Sequence, residues 1–302
     1  MPKNTEIYNK FLDWLKIAHS PATVESYHWA LKPLFDWLYG NNLEIVDLTC
    51  EDITKYSIYL KDTRGVKTST LFHYLIALRA IWRWMFRNEY VRLDDSIIEI
   101  PKDLDKESYP FILPQEFGKM MSGLDEFYPD QLRSRAILSF LYFTGVRIGE
   151  LLAIDVSQID LKNQKATIKT YKRHNVYREV YWGAETTYLL EKWLAVREKI
   201  LLRCNSSSNA LFIAMPPGHT SGERLGKYQV QKMIRRSRNK AGIERQITAH
   251  SFRHGFGHRA VEKNINPRYL QIMLGHAKLG TTMIYMGVGD KEVENIYRTA
   301  MI

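Results

Sequence analysis

Along residues 1–100 apolar side chains recur at intervals of three and four, the period of helices that bury one face. The first such stretch covers roughly Thr5 to Ile17. In the second, Ser20 stands as N-cap and Pro21 in the first turn. Val24, Tyr27, Leu31, Leu34 and Leu38 then share one stripe. Pro33 lacks an N–H and predicts a kink inside this helix; Gly40 predicts its end. Thr49 with Asp52 reads as a capping box that starts a third helix running through Leu60. A fourth spans about Thr68 to Arg87, with Leu71, Leu75, Leu78, Trp82 and Met85 as its buried side. Residues 101–112 then carry two prolines and five charges without helical period, which predicts a linker.

Helical pattern resumes at Pro114, with Leu113 in a cap position where it offers no side-chain acceptor. The stretch from roughly Gln131 to Phe143 is apolar on much of its surface and predicts a core helix. Gly145 breaks it, and a new helix follows Arg147, with Glu150 three residues on. From Ile154 the period changes to two. Segments near Gln158–Leu161, Ala166–Tyr171 and Val176–Trp182 predict a small antiparallel sheet with a polar hairpin tip at 172–175. Glu185 to Arg203 is helical, 205–210 a loop and 216–226 a connection. Tyr228 to Lys240 is a strongly basic helix. The pattern therefore predicts a mainly α protein with one small antiparallel sheet. It divides into a helical unit (1–100), a linker (101–112), a mixed unit (113–289) and a short tail (290–302). In the tail Val293, Ile296, Tyr297 and Ala300 form an apolar stripe.

Composition narrows the class. A chain of 302 residues that is 45% hydrophobic can build about two domains with real cores. Net charge of +10 and a pI near 9.4 favour a polyanionic partner, although an ordinary basic enzyme can carry the same charge. Cys50 and Cys204 sit in unrelated contexts, which argues against a disulfide framework or a cysteine zinc site. There is no signal-like apolar segment and no run of membrane-spanning length, so a soluble intracellular protein without a membrane partner is expected. Arg79, Arg83 and Arg87 lie four apart on the fourth helix and, with Lys61, Arg64 and Lys67, make a basic strip beside aromatic residues. Such a strip is either a solvated face or a DNA contact. Lys232, Arg235 and Arg236 form a second basic surface on the Tyr228–Lys240 helix.

Candidate chemistry concentrates between residues 247 and 286. His250 and Arg253 are three apart and share a helix face. His276 follows, and Tyr285 comes nine residues later, across a stretch (277–282) that predicts a turn and a fresh helix start. Arg147 lies far upstream. Arginine offers a charged planar fork that matches phosphate, histidine moves protons near neutrality, and a tyrosine hydroxyl can attack phosphorus. Together they suit phosphoryl transfer without metal or other cofactor. Plainer readings exist for each. Arg147 could form a surface pair with Glu150, and most of the 18 tyrosines must be core or surface. Tyr285 is singled out by its distance from His276; Tyr297 falls outside that spacing. His250, His254 and His258 recur every four residues as zinc ligands can. No Glu stands as in an H-E-x-x-H motif, however, and Gly255 and Gly257 loosen the frame, so they read as metal-free.

TGVRIGELL around Arg147, HSFRH from His250, LGH ending at His276 and a tyrosine nine residues on form an ordered set spread over about 140 residues. The set resembles the tyrosine recombinase (phage integrase) family, its Xer-like members especially. The resemblance covers the C-terminal two-thirds; the first third is similar only in length, basic character and helical pattern. It implies a helical core-binding domain and an α/β catalytic domain that close around duplex DNA. It also implies site-specific strand cleavage and rejoining through a 3′-phosphotyrosine, with neither ATP nor metal. In that scheme Arg147 and Arg253 clamp the scissile phosphate and Tyr285 attacks it. His250 takes the phenolic proton, and His276 hydrogen-bonds the phosphate. Glu150 holds the family's acidic position, where it orients a neighbour or caps its helix. A hairpin lysine protonates the leaving 5′ oxygen: Lys172 or Lys169. Folding the hairpin about His174 favours Lys172, with Arg178-Glu-Val180 on the return strand and Tyr181 where the family has proline. Implied partners are double-stranded DNA carrying a specific target site and further copies of the chain in a tetrameric synapse, at the nucleoid in the cytoplasm. The tail then docks on a neighbouring protomer, its own domain being the alternative groove. Two other readings remain: a type IB topoisomerase, against which the Xer-like spacing and the separate first domain argue, and a DNA-binding protein that has lost catalysis, against which the full set of groups argues.

Overall fold

A computed structural model describes residues 3–100, 110–170, 177–276 and 281 of the chain. They are mostly helical, with one three-stranded antiparallel sheet. The chain separates into two compact units, Met1–Glu107 and Ser108–Ile302.

The first unit is built from α1 (Asn4–Ala18), α2 (Pro21–Gly40), α3 (Cys50–Ile58) and α4 (Thr68–Arg87). Local chemistry sets their ends. Ser20 Oγ accepts from the Thr23 amide at 3.3 Å, and Pro21 needs no donor in the first turn. At α3 the capping box is reciprocal: the Asp52 amide donates to Thr49 Oγ1 and the Thr49 amide to Asp52 Oδ2. α2 runs unbroken through Pro33, where a kink is expected. The carbonyl deprived of its donor belongs to Trp29, an exposed residue that water can satisfy. The third helix ends sooner than its pattern predicts, in a wide π-type turn over Tyr59–Thr63. Ile7, Phe11, Leu31, Leu34, Leu38, Leu75, Leu78, Trp82 and Met85 interlock as the core, α2 and α4 contributing residues of the stripes read from their periods.

The second unit contains α5 (Pro114–Ser122), α6 (Pro129–Thr144), α7 (Ile148–Ala153), α8 (Ala184–Cys204), α9 (Lys227–Lys240), α10 (Ala249–Glu262) and α11 (Pro267–Leu274). α6 is buried over most of its length. It ends at Gly145 with φ +60°, where a Cβ would meet the Phe256 ring at 2.9 Å, so only glycine fits. Strands β1 (Ile159–Asp160), β2 (Lys165–Lys169) and β3 (Tyr177–Tyr181) pair in that order. Ala166, Ile168, Arg178 and Val180 face inward; Thr167, Lys169, Tyr177 and Glu179 face out. The last described rung pairs Lys169 with Tyr177. Its midpoint is position 173, one residue earlier than the His174 axis expected from the polar tip. The tip itself (171–176), most of the linker (101–109) and the tail (290–302) lie outside the described residues.

Candidate active site

Helix α11 is the element around which the site is assembled, and its pattern was not read from the sequence. Asn266 caps it by accepting from the Arg268 amide, Pro267 fills the first turn, and Gly275 closes it in a left-handed conformation. The last carbonyls of a helix have no partner within it and carry the negative end of its dipole. Here three consecutive ones accept from three arginines brought in by three other elements. Arg178 Nε on β3 donates to Met273 O at 3.1 Å, Arg253 Nη2 on α10 to Leu274 O at 2.6 Å, and Arg147 Nη2 at the start of α7 to Gly275 O at 3.2 Å. Arg253 Nη1 also reaches Gly145 O, the carbonyl at the end of α6, at 2.8 Å. His276 is the next residue along, its amide held by Gln271 O.

Among the described residues Glu150 is the single carboxylate in the arrangement, and it is 1% exposed. Its Oε2 accepts from the Arg147 amide and from Arg178 Nη2, both at 2.9 Å, while Oε1 accepts from Arg147 Nη1 at 2.8 Å. Capping α7 and orienting an arginine, offered by the sequence as alternatives, are here one set of bonds. Three arginines against one carboxylate leave this group of described residues net positive. That field acts on the histidines. Burial, then Arg253 and Arg147, hold the His250 imidazole below its ordinary range. Burial, then Arg253, Arg147, Arg178 and His254, push His276 down to about 3. Both rings are neutral at pH 7, so His250 can accept a proton and His276 can offer one N–H.

The remaining members of the histidine repeat serve packing. His254 is buried, edge-on to His250 at 4.8 Å, and is pushed down to about 4, chiefly by burial. His258 stacks on Phe111 at 3.8 Å. Among the described residues no three His, Cys, Asp or Glu side chains converge as a metal site.

The structure thus brings Arg147, Glu150, His250, Arg253 and His276 together and adds Arg178, which in the sequence stood out only as a landmark of the return strand. The available signal was an arginine at an inward-facing position of a strand, where a bare charge is not tolerated without a partner. Lys169 is exposed on the sheet face opposite Arg178. Lys172 and Tyr285 lie outside the described residues, as does the 277–280 turn. In the first unit Lys61, Arg64, Lys67 and Arg87 are exposed. Arg79 bonds Ile98 O and lies 3.8 Å from Asp95, while Arg83 Nη2 meets Asp95 Oδ2 at 2.5 Å. On α9, Arg235 and Arg236 are exposed and Lys232 is half-buried. No helix among the described residues is long and apolar enough to cross a membrane.

Comparison with known proteins follows this geometry. The Phage integrase family matches residues 110–292, and the Phage integrase SAM-like domain matches residues 5–97. Tyrosine recombinase XerD of Oceanobacillus iheyensis is 29% identical over 249 residues, covering 82% of this chain and 80% of the relative. Tyrosine recombinase XerD of Haemophilus influenzae is 25% identical over 300 residues, covering 98% and 97%. Among solved structures, the XerH site-specific recombinase in a post-cleavage complex with palindromic difH substrate superposes with a TM-score of 0.75 at 21% identity, over 99% of this chain and 84% of that one. The Tn1549 transposon integrase in complex with transposon right end DNA gives 0.76 at 16% identity, over the whole of both chains. At such identities the two superpositions establish the fold.

Proposed function

This chain belongs to the phage integrase family, and from that premise we infer that it is a site-specific recombinase that cleaves and rejoins double-stranded DNA through a covalent 3′-phosphotyrosine. The observation that carries the reading is the convergence of Arg147, Arg253, His250 and His276 on the turn at Gly275. A guanidinium has five N–H donors. The bonds of Arg147 to Glu150 and Gly275 O fix its plane while leaving donors for a phosphate oxygen. In this reading Arg147 and Arg253 grip the non-bridging oxygens of the scissile phosphate and stabilise the charge that grows in the transition state. Tyr285 attacks phosphorus in line with the departing 5′ oxygen. A phenol titrates near pH 10, so the attack needs a base, and neutral His250 accepts the proton. His276 donates its N–H to a phosphate oxygen. Lys172 protonates the 5′ oxygen as the P–O bond breaks. Lys169, the alternative, lies on the exposed face of β2, away from Arg178. The phosphodiester energy is kept in the tyrosyl ester, and a 5′ hydroxyl reverses each step to rejoin the strand.

The chain works as a homo-oligomer on DNA, in a synapse of four copies whose C-terminal tails dock on neighbours. It acts in the cytoplasm, at the nucleoid. Lys61, Arg64, Lys67, Arg79, Arg83 and Arg87, with Lys232, Arg235 and Arg236, supply phosphate contacts on two basic surfaces; domains 1–100 and 113–289 are the binding and catalytic modules.

The test is covalent trapping. A pool of nicked duplexes of random sequence is incubated with the full chain, and complexes that survive denaturation are recovered and sequenced. The wild type yields an adduct on a defined set of sites; Tyr285→Phe binds the same duplexes and yields none. An adduct at normal yield from Tyr285→Phe removes the nucleophile assignment.

A further inference from the structure

Arg178 has no task in the scheme above, yet it is bound more tightly into the site than any surface contact requires. Its backbone stands on β3, the return strand of the hairpin, opposite Ile168 of β2. Its side chain crosses to two other elements at once: Nη2 to Glu150 at the head of α7, and Nε to Met273 O at the foot of α11. The packing is close: Gly275 takes a φ of +65°, which favours glycine, and a Cβ there would lie 3.0 Å from Arg178 Nε, so the guanidinium would have to give by a few tenths of an ångström. Arg178 Nη1 is buried with no hydrogen-bond partner among the described residues. An enclosed guanidinium with an unmet donor opposes stability unless something else selects for it.

We propose that Arg178 is a positioning residue for strand cleavage: it locks the return strand of the hairpin to the Arg147–Glu150 pair and to the turn that presents His276. Resting on the recombinase reading above, this makes the return strand (Tyr177–Tyr181) and the phosphate clamp one frame. Arg178 reaches the reaction only through Glu150 and the 273–276 turn. It also belongs to the set of charged and titratable groups facing His276, with Arg147, Arg253 and His254, while Glu150 pairs with Arg147 and Arg178.

Two variants of the full chain decide it, Arg178→Gln and Arg178→Lys, each checked for folding by thermal melting. The first readout needs no DNA: a histidine-selective NMR titration of His276. Removing one neighbouring positive charge makes protonation easier, so in Arg178→Gln the His276 midpoint rises by about one pH unit. Loss of folding would instead carry it to the unfolded value of about 6.5, an outcome the melt separates from a shift of one unit. The second readout is single-turnover adduct formation against binding, on a duplex recovered by trapping. Arg178→Gln binds that duplex as the wild type does and reacts roughly 100-fold more slowly, the scale of a misplaced reacting group. Arg178→Lys keeps the charge and leaves the His276 midpoint in place. It remains slow, because one ammonium cannot bridge Glu150 and Met273 O as the planar fork does. A folded variant of either kind that cleaves at the wild-type rate overturns the proposal, as does a rate loss matched by an equal loss of binding. Should the Gln variant fail to fold, the Lys variant decides by the same criteria. If the wild type forms no adduct on any duplex, the recombinase reading fails. The His276 titration then still judges the frame, an unmoved midpoint in folded Arg178→Gln counting against it.

Discussion

Arg83 on α4 meets Asp95 at 2.5 Å with about half its side chain in water, whereas Arg178 on β3 meets Glu150 at 2.9 Å with both partners almost wholly enclosed. The two pairs look alike as distances and differ as energies. At the surface, water screens the attraction and solvates either partner left alone, so such a pair contributes about 0–1 kcal/mol. In the interior neither charge can return to water, and removing one partner strands the other, at about 3–5 kcal/mol. The same contrast separates the two basic regions. The strip on the first unit can act by summed charge, tolerant of single losses. The arginines of the second unit are held in position, all three by helix-end carbonyls and Arg147 and Arg178 by one carboxylate as well.

That contrast can be broken most sharply at the hairpin. Lys172→Ala should slow cleavage of an ordinary phosphodiester by about 10²–10⁴-fold, and a 5′-bridging sulfur, which leaves without a proton, should restore most of the rate. Lys169→Ala should behave as the wild type on both substrates, since Lys169 faces away from Arg178. Rescue of a slow Lys169→Ala by sulfur would reassign the general acid.

Next in size is Arg147→Ala, which on the proposed reading removes one of the phosphate donors and should lower single-turnover cleavage by about 10²–10³-fold while a gel-shift assay shows unchanged binding. Equal losses in both assays would mean that the arginine merely grips DNA.

The paired carboxylates test the energies directly. Glu150→Gln should destabilise the second unit by about 3–5 kcal/mol in denaturant melts, because Arg147 and Arg178 then face each other without an anion. Asp95→Asn should cost about 0–1 kcal/mol. Similar values for the two would erase the distinction between the regions.

Smaller effects belong to the strip. Arg64→Ala and Lys67→Ala should each reduce the slope of log K against log salt by about 0.9 for every phosphate the side chain neutralises, and leave the cleavage step of the bound complex untouched. No change in slope would mark these side chains as a solvated face.

A separate effect is on acid stability. His254 and His276 are held at about 4 and about 3, against about 6.5 in an unfolded chain. Below pH 6.5 the unfolded state therefore binds more protons, and stability falls as pH drops from 6.5 toward 4. Melting temperature should decline between pH 7 and pH 5, and less steeply in His254→Gln. An equal decline would place the acid sensitivity elsewhere.

By itself the sequence determined what depends on neighbours three or four residues apart. The stripes of α2 and α4 follow from side chains that share a helix face. The cap at Thr49 follows from an acceptor three residues before a free amide. The alternation from Ile154 onward marked the small sheet, and the ordered motif around Arg147, His250 and His276 marked the chemistry. Tertiary structure alone decided what lies between elements. Arg178 meets Glu150 across 28 residues, and Arg147 meets Gly275 O across 128. Neither separation has a periodic signature. The hairpin axis at 173 rather than 174 changes no composition, yet a shift of one residue in a strand exchanges its inner and outer faces. Helix α11 was missed for a related reason: its eight residues bury only Leu270 and Leu274, too few to show a period. Its worth lies in the carbonyls at its end, which every sequence possesses and only a fold can aim.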